Sequence, residues 1–291
     1  INDEAITSIT AFIKLHKITA KTVSAALPSE WIITKYLNIP LPNPDALDGI
    51  MTFEIQRHIP FDISNVLYNY RIAGMTNGLY SIIIMFVIKE KVQNLNEALK
   101  KAGLNIETIS SSSLCELNLI SYCELRTNIL DNMRGALSSF KSKAKQEARI
   151  VIYTCGDSII FWVIIKDKPI VQHSLLFSEI IDIATFWTEI TSEIEQYLAI
   201  CIIKQIILLG DNLIGLAEQI KSTTNYKVRH LKKLSGVSFP NDSDTQYQRK
   251  SITEEKLTLE LAPSIGASLT GNGNDILSIK IQPKKHNVVS K

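Results

Sequence analysis

The stretch Ala148–Phe177, ARIVIYTCGDSIIFWVIIKDKPIVQHSLLF, constrains the chain more than any other. Arg149–Thr154 is apolar and β-branched, which suits a pleated strand. Cys155-Gly156-Asp157-Ser158 supplies a turn through its Gly and Asp. Ile159–Ile165 is a continuous apolar run, too long and too β-branched for a strand with one face in water. Lys166-Asp167-Lys168-Pro169 is a second turn, and Ile170–Phe177 follows as the start of a third strand. A run buried on both faces needs cover on both faces. The hairpin is therefore expected in the middle of a sheet, with helices against it. Strand, Gly/Asp turn, strand is also an arrangement through which backbone N–H groups meet phosphate.

With 291 residues, 45% of them hydrophobic, the chain can build one large bilobed domain or two small ones. A net charge of +2 argues against a dedicated nucleic-acid binder, which carries a clustered basic face. Cys115, Cys123, Cys155 and Cys201 stand singly on apolar segments, without zinc spacing, and read as reduced buried thiols. No apolar run reaches the about 18 residues of a membrane span. Both ends read as cut. Ile1 leads straight into a helical pattern, and Lys284–Lys291 is a basic tail. That tail is either solvated or the cytoplasmic flank of a transmembrane helix, since such flanks are rich in Lys and Arg.

Strands and helices alternate along the chain, so the class is α/β. Ala5–Leu15 has helical periodicity, and Thr22–Leu27 and Trp31–Leu37 are strands. Ile39–Pro44 is held extended by its prolines. Asp45 caps a helix over Ala46–His58. Val66–Ile72 and Leu79–Ile88 are strands, the second nearly all apolar and hence central. Val92–Ala102 is a helix with Gly103 as its left-handed C-cap. Ile106–Ile109 is a strand, and Ser110–Ser113 caps a helix over Leu114–Leu125. Thr127–Lys145 reads as a polar crossover, partly helical at most. Beyond the hairpin, Ser178–Cys201 is a helix with an acidic outer face. Ile203–Leu209 is a strand, Leu213–Ser222 a helix and Tyr226–Leu231 a strand. Lys232–Lys250 is a loop, Leu257–Leu269 a helix packed against small residues, Thr270–Asp275 a flexible link and Ile276–Pro283 a last extended segment.

Several of these residues together resemble a family. Ala26-Leu27-Pro28, the proline run at 39–44, Phe53-Glu54 followed by Ile59-Pro60-Phe61, and the tyrosine strand at 68–70 resemble the PilM-type pilus-assembly proteins. Ala102-Gly103-Leu104, Ile206–Asn212 and Pro263–Leu269 extend the resemblance along the chain. The cytoplasmic domain of the type II secretion L protein (GspL) is a second relative of the same kind. The resemblance implies an actin-like ATPase fold, ribonuclease H-like, with two α/β halves around a nucleotide cleft. It implies a first half over 1–147 containing an inserted subdomain, a second half over 148–262, a return helix and docking strand over 263–283, and a tail over 284–291. It also implies that the family's first phosphate-binding strands precede Ile1. Where the family has Asp two residues before the hairpin glycine, this chain has Thr154, and Asp211 and Asn212 replace glycines after Gly210. An acid there repels phosphate unless a cation intervenes.

The candidate nucleotide-binding residues are therefore Gly156, Asp157, Gly210, Asp211 and Asn212, with ATP and Mg²⁺ as the ligands if the site is retained. The plain alternatives are a hairpin turn and a strand-to-helix turn capped by Asn212. Glu54 and Arg57, one helical turn apart, are expected to pair. The five histidines are scattered, and no nucleophilic or metal-binding motif stands out, so no catalytic residue is assigned. Leu277, Ile279 and Ile281 form the apolar face of an alternating strand and are the expected partner-binding residues. The alternative is a final strand of the domain itself. Docking of that segment is expected to rest on backbone pairing, because burying three side chains does not offset ordering about eight residues.

Two functions compete. One is a non-catalytic cytoplasmic scaffold at the inner face of the inner membrane, in a type IV pilus or type II secretion platform. It would link PilN-like or GspM-like membrane proteins to the assembly ATPase, with self-association and without nucleic acid. The other is a slow ATPase using the cleft.

Overall fold

The computed structural model describes residues 3–28, 30–40, 47–76, 79–135, 146–155, 158–165, 168–176, 183–198, 201–210, 214–231, 261–270 and 276–281. The hairpin region is built as its composition demands. Strands β6 (Gln146–Cys155), β7 (Ser158–Ile165) and β8 (Lys168–Leu176) form an antiparallel meander. After helix α5 (Ile183–Leu198), strand β9 (Cys201–Leu209) pairs with β6 in parallel. Helix α6 (Ile214–Thr223) leads to β10 (Lys227–Leu231), parallel to β9. The sheet order is β10-β9-β6-β7-β8, with β6 at the centre.

Alternation along β6 sends its side chains to two cores. Ala148, Ile150 and Ile152 meet Trp187, Ile190 and Ile194 of α5 and Leu216 and Ile220 of α6. Val151 and Tyr153 face the other way, with Trp162 and Ile164 of β7. There they join Leu117, Ile120 and Cys123 of helix α4 (Ser112–Gly135) and Ala262 of helix α7 (Ala262–Ser268). The two-sided burial read from the sequence thus has two physical covers.

The first half starts with α1 (Asp3–Leu15) and β1 (Thr22–Leu27). An inserted sheet follows: β2 (Ile32–Pro40), helix α2 (Leu47–His58), β3 (Val66–Thr76) and β4 (Leu79–Ile88), in the order β2-β4-β3. Strand β4 is central as expected. Its Ile82, Ile84 and Phe86 pack with Met51 and Ile55 of α2, and its Ile83, Met85 and Val87 face the rest of the first half. Helix α3 (Lys89–Lys101) and β5 (Asn105–Ser111) complete the half. Gly103, at φ +80°, ends α3 in a Schellman motif: Leu104 N donates to Leu99 O and Gly103 N to Lys100 O. Strand β5 lies between β1, parallel to it, and the short antiparallel β11 (Ile279–Lys280).

The series α1–β1–α3–β5 repeats as α5–β9–α6–β10, each with a parallel strand pair. In the second half β6 covers the outer edge of β9. Among the described residues β1 is an edge strand, bordered by an apolar groove of about 630 Å³ lined by Ile9, Ala25, Leu27, Trp31, Leu95 and Leu99.

Several expected boundaries move. β2 runs on to Pro40 because it is an edge strand, where proline removes no central ladder bond. Ser110 and Ser111 belong to β5, and the helix after them starts at Ser112 and continues to Gly135, through part of the expected crossover. Ser111 still acts as a cap, its Oγ accepting from Leu114 N at 3.3 Å. Cys201 opens β9 instead of closing a helix, since its backbone is drawn into parallel pairing opposite Gln146. Thr270 is buried, not part of a flexible link, and its hydroxyl donates to Ala267 O at 2.6 Å. Asp45 and the segments 41–46, 136–145, 177–182, 232–260, 271–275 and 282–291 lie outside the described residues.

Candidate functional site

Strands β6 and β9 are parallel, so their C-terminal ends open at the same edge of the sheet. In open α/β sheets ligands sit beyond such ends, where strand order reverses. The structure brings these ends into contact. Gly210, directly after β9, has φ +124°, a conformation that L side chains rarely adopt. A Cβ there would overlap Thr154 Oγ1 and the Thr154 carbonyl, at the end of β6. The strand ends that precede the two expected ligand segments therefore lie side by side. Gly156, Asp157, Asp211 and Asn212 themselves lie outside the described residues.

Thr154 is buried, with its hydroxyl against Gly210. A hydroxyl in this place packs two strand ends. It is a poorer partner than a carboxylate for a Mg²⁺-bound water. Among the described residues, no cluster of three or more His, Cys, Asp or Glu could hold a metal ion.

One ionisable group was not singled out by the sequence. Glu116, on the first turns of α4, is 4% exposed, and burial pushes its carboxyl up to about 8. Its Oε2 has no hydrogen-bond partner among the described residues. Helical spacing puts it on one face with Ser113 and Ile120. The only signal in the sequence was an acid inside the apolar series Leu114, Leu117, Leu119, Ile120, which reads equally as a solvated position.

The expected partner strand belongs to the chain's own fold. Leu277 and Ile279 are 3% and 4% exposed and sit in the first-half core with Ile109, Leu114 and Met85. Ile281 is partly buried on the same cluster, and its N donates to Glu107 O at 3.0 Å. The segment is held through its backbone: Asn118 Oδ1 accepts from Ile276 N (2.9 Å), Ser110 Oγ donates to Leu277 O (2.6 Å), and Asn69 Nδ2 donates to Ser278 O (2.6 Å). Backbone docking on the same domain or on a neighbouring copy was expected, and the segment pairs with the chain's own β5. Of the three side chains expected to meet a partner, Leu277 and Ile279 are buried against β5 and α4, as in the alternative of a final strand of the domain itself, and Ile281 is partly buried.

The Phe-Glu and Ile-Pro-Phe block divides. Ile59 is buried, while Phe53 is 70% and Phe61 45% exposed. Glu54 pairs with Arg57 at 3.0 Å as expected. Phe61 also lines an open pocket of about 480 Å³ with Asp62, Asn65, Ile88 and Lys89. Asp62 caps the turn that follows, its Oδ1 accepting from Ser64 N, and that bond holds its carboxyl below the usual range.

No family model and no curated protein matches this sequence. Solved structures do. One described as the PilM–PilN type IV pilus biogenesis complex matches with a TM-score of 0.60 at 16% identity, covering 91% of this chain and 84% of that one. The chain shares the fold of that matched PilM–PilN structure. A Bacteroides thetaiotaomicron protein of unknown function with an actin-like ATPase fold matches at TM-score 0.40 and 14% identity, over 76% of each chain. The cytoplasmic domain of EpsL, an inner-membrane component of the Vibrio cholerae type II secretion system, matches at 0.37 and 10%, over 77% of this chain and 82% of that one. The edge carrying Thr154 and Gly210 is the C-terminal end of the parallel β6–β9 pair in the five-stranded sheet. Among the described residues no helix is long and apolar enough to cross a membrane.

Proposed function

We propose that this chain is a cytoplasmic actin-like scaffold of a type IV pilus or type II secretion platform, bound to a PilN-like or GspM-like protein at the inner membrane. The observation that carries this reading is the likeness, over 91% of the chain, to the PilM–PilN structure. The scaffold joins that membrane partner to the assembly ATPase. Its halves are residues 1–147 and 148–262, with 263–283 returning to the first half. The first-half edge at β1 suits a further strand parallel to it, the counterpart of β6 on β9. The exposed Phe53 and Phe61 are the side chains we assign to partner contact, since large exposed aromatics are where binding energy concentrates. The nucleotide site is degenerate in this reading, because Thr154 is used in packing and the sequence has Asp211 where the resembled family has a glycine. Affinity capture with the membrane proteins encoded beside this chain tests it. Retention of a PilN-like or GspM-like protein is expected, and its loss with Phe53→Ala. Absence of all of them from the captured material contradicts the scaffold.

A slow ATPase is the second reading. It is favoured by the contact of Gly210 with Thr154, which sets the ends of β6 and β9 together at the edge where a nucleotide would lie. Under this reading ATP and Mg²⁺ bind with micromolar affinity, and Gly156→Val abolishes that binding.

A further inference from the structure

Three donors from three elements converge on one oxygen. Gln172 of β8 accepts at Oε1 from Tyr36 OH of β2 (3.3 Å), from Ser113 Oγ at the start of α4 (3.2 Å) and from Trp162 Nε1 of β7 (3.2 Å). Trp162 is fully buried, so its indole N–H requires an acceptor inside the protein. Tyr36 and Ser113 belong to the first half, Trp162 and Gln172 to the second. A carbonyl oxygen has two lone pairs. Three donors share them here, the indole N–H at the long end of the ordinary range and the two hydroxyls at longer, weaker distances. One donor from the first half can therefore leave without orphaning the oxygen. Burial pushes the Tyr36 phenol upward, so it remains a donor throughout the physiological range. Around this node β8 lies across β2, β3 and β4, and Lys168 Nζ reaches Ile72 O of β3 at 3.5 Å.

We propose that Gln172 is a latch between the halves, coupling the inserted β2-β4-β3 sheet to the edge strand of the second half. With the latch closed, the inserted sheet, the start of α4 and the β7–β8 ladder move as one body. With it open, the inserted sheet keeps its packing on the first half and the Lys168 contact with Ile72 O, but loses the side-chain tie through Tyr36. Whatever binds the inserted sheet is then felt at β8, and the inference does not depend on the identity of that partner.

Hydrogen exchange by mass spectrometry on the full chain tests this. Gln172→Leu removes the acceptor at similar volume. Amides of β2 and β8 are then expected to exchange about tenfold faster, with β9 and the centre of β6 unchanged. Gln172→Glu keeps carboxylate oxygens for the same donors and is expected to return the wild-type pattern. Tyr36→Phe removes a single hydroxyl and keeps the fold within reach if Gln172→Leu does not fold. Faster exchange in β8, across the junction from the substitution, supports the latch. Unchanged β8 exchange in Tyr36→Phe, or a uniform rise over all strands in Gln172→Leu, overturns it.

Discussion

Gly210 shows how much a single position can decide. Its φ of +124° and the Thr154 backbone pressed against it leave no room for a Cβ. Gly210→Ala is expected to cost about 3 kcal/mol or more, from backbone strain and overlap together, measured by urea unfolding. Gly49, with open space around it, is a control, where Gly49→Ala is expected to be neutral or stabilising. Glu116 makes a prediction about pH. Its folded carboxyl is raised to about 8, above its unfolded value, so the folded chain holds this proton where the unfolded chain has lost it. The associated stability is fully present below the unfolded value and is lost as pH rises through about 8, at up to about 1.4 kcal/mol per pH unit. Glu116→Gln is expected to remove this slope between pH 5 and 8. An unchanged slope would mean that the carboxyl is ionised or partnered in the fold. The sequence displayed Gly210 as a glycine after a strand but not its contact with Thr154, which arises only when two segments distant in sequence pair in parallel. Glu116 was illegible for the same reason: its desolvation comes from neighbours outside its own helix.

Elements whose signal is local were readable. The hairpin from β6 to β8, the central position of β4 and the Schellman end of α3 follow from β-branched runs, turn residues and one glycine. Elements decided by distant partners were not. The start of β9 at Cys201 depends on pairing with Gln146, and the extension of α4 to Gly135 crosses a stretch without clean period. The segment 276–281 combines both cases. Its alternation was visible, and its destination was set by β5, Asn118 and Asn69. If these side chains are core, Ile279→Ala is expected to lower stability by about 2–5 kcal/mol. Partner affinity per folded molecule should stay unchanged. A stable Ile279→Ala protein that has lost partner binding would restore the surface role.

The molecule as a whole repeats a helix–strand–helix–strand unit, wraps it with an inserted sheet and ties the halves at Gln172. The proposed scaffold holds a membrane partner and does not cycle nucleotide. Calorimetric titration tests it most directly, with the cytoplasmic segment of the neighbouring PilN-like or GspM-like protein as one titrant and ATP with Mg²⁺ as the other. A scaffold gives saturable partner binding near the micromolar range, about −8 kcal/mol, weakened at least about tenfold by Phe53→Ala, with no heat from nucleotide. Tight ATP binding with phosphate release, and no binding of either membrane segment, would contradict it.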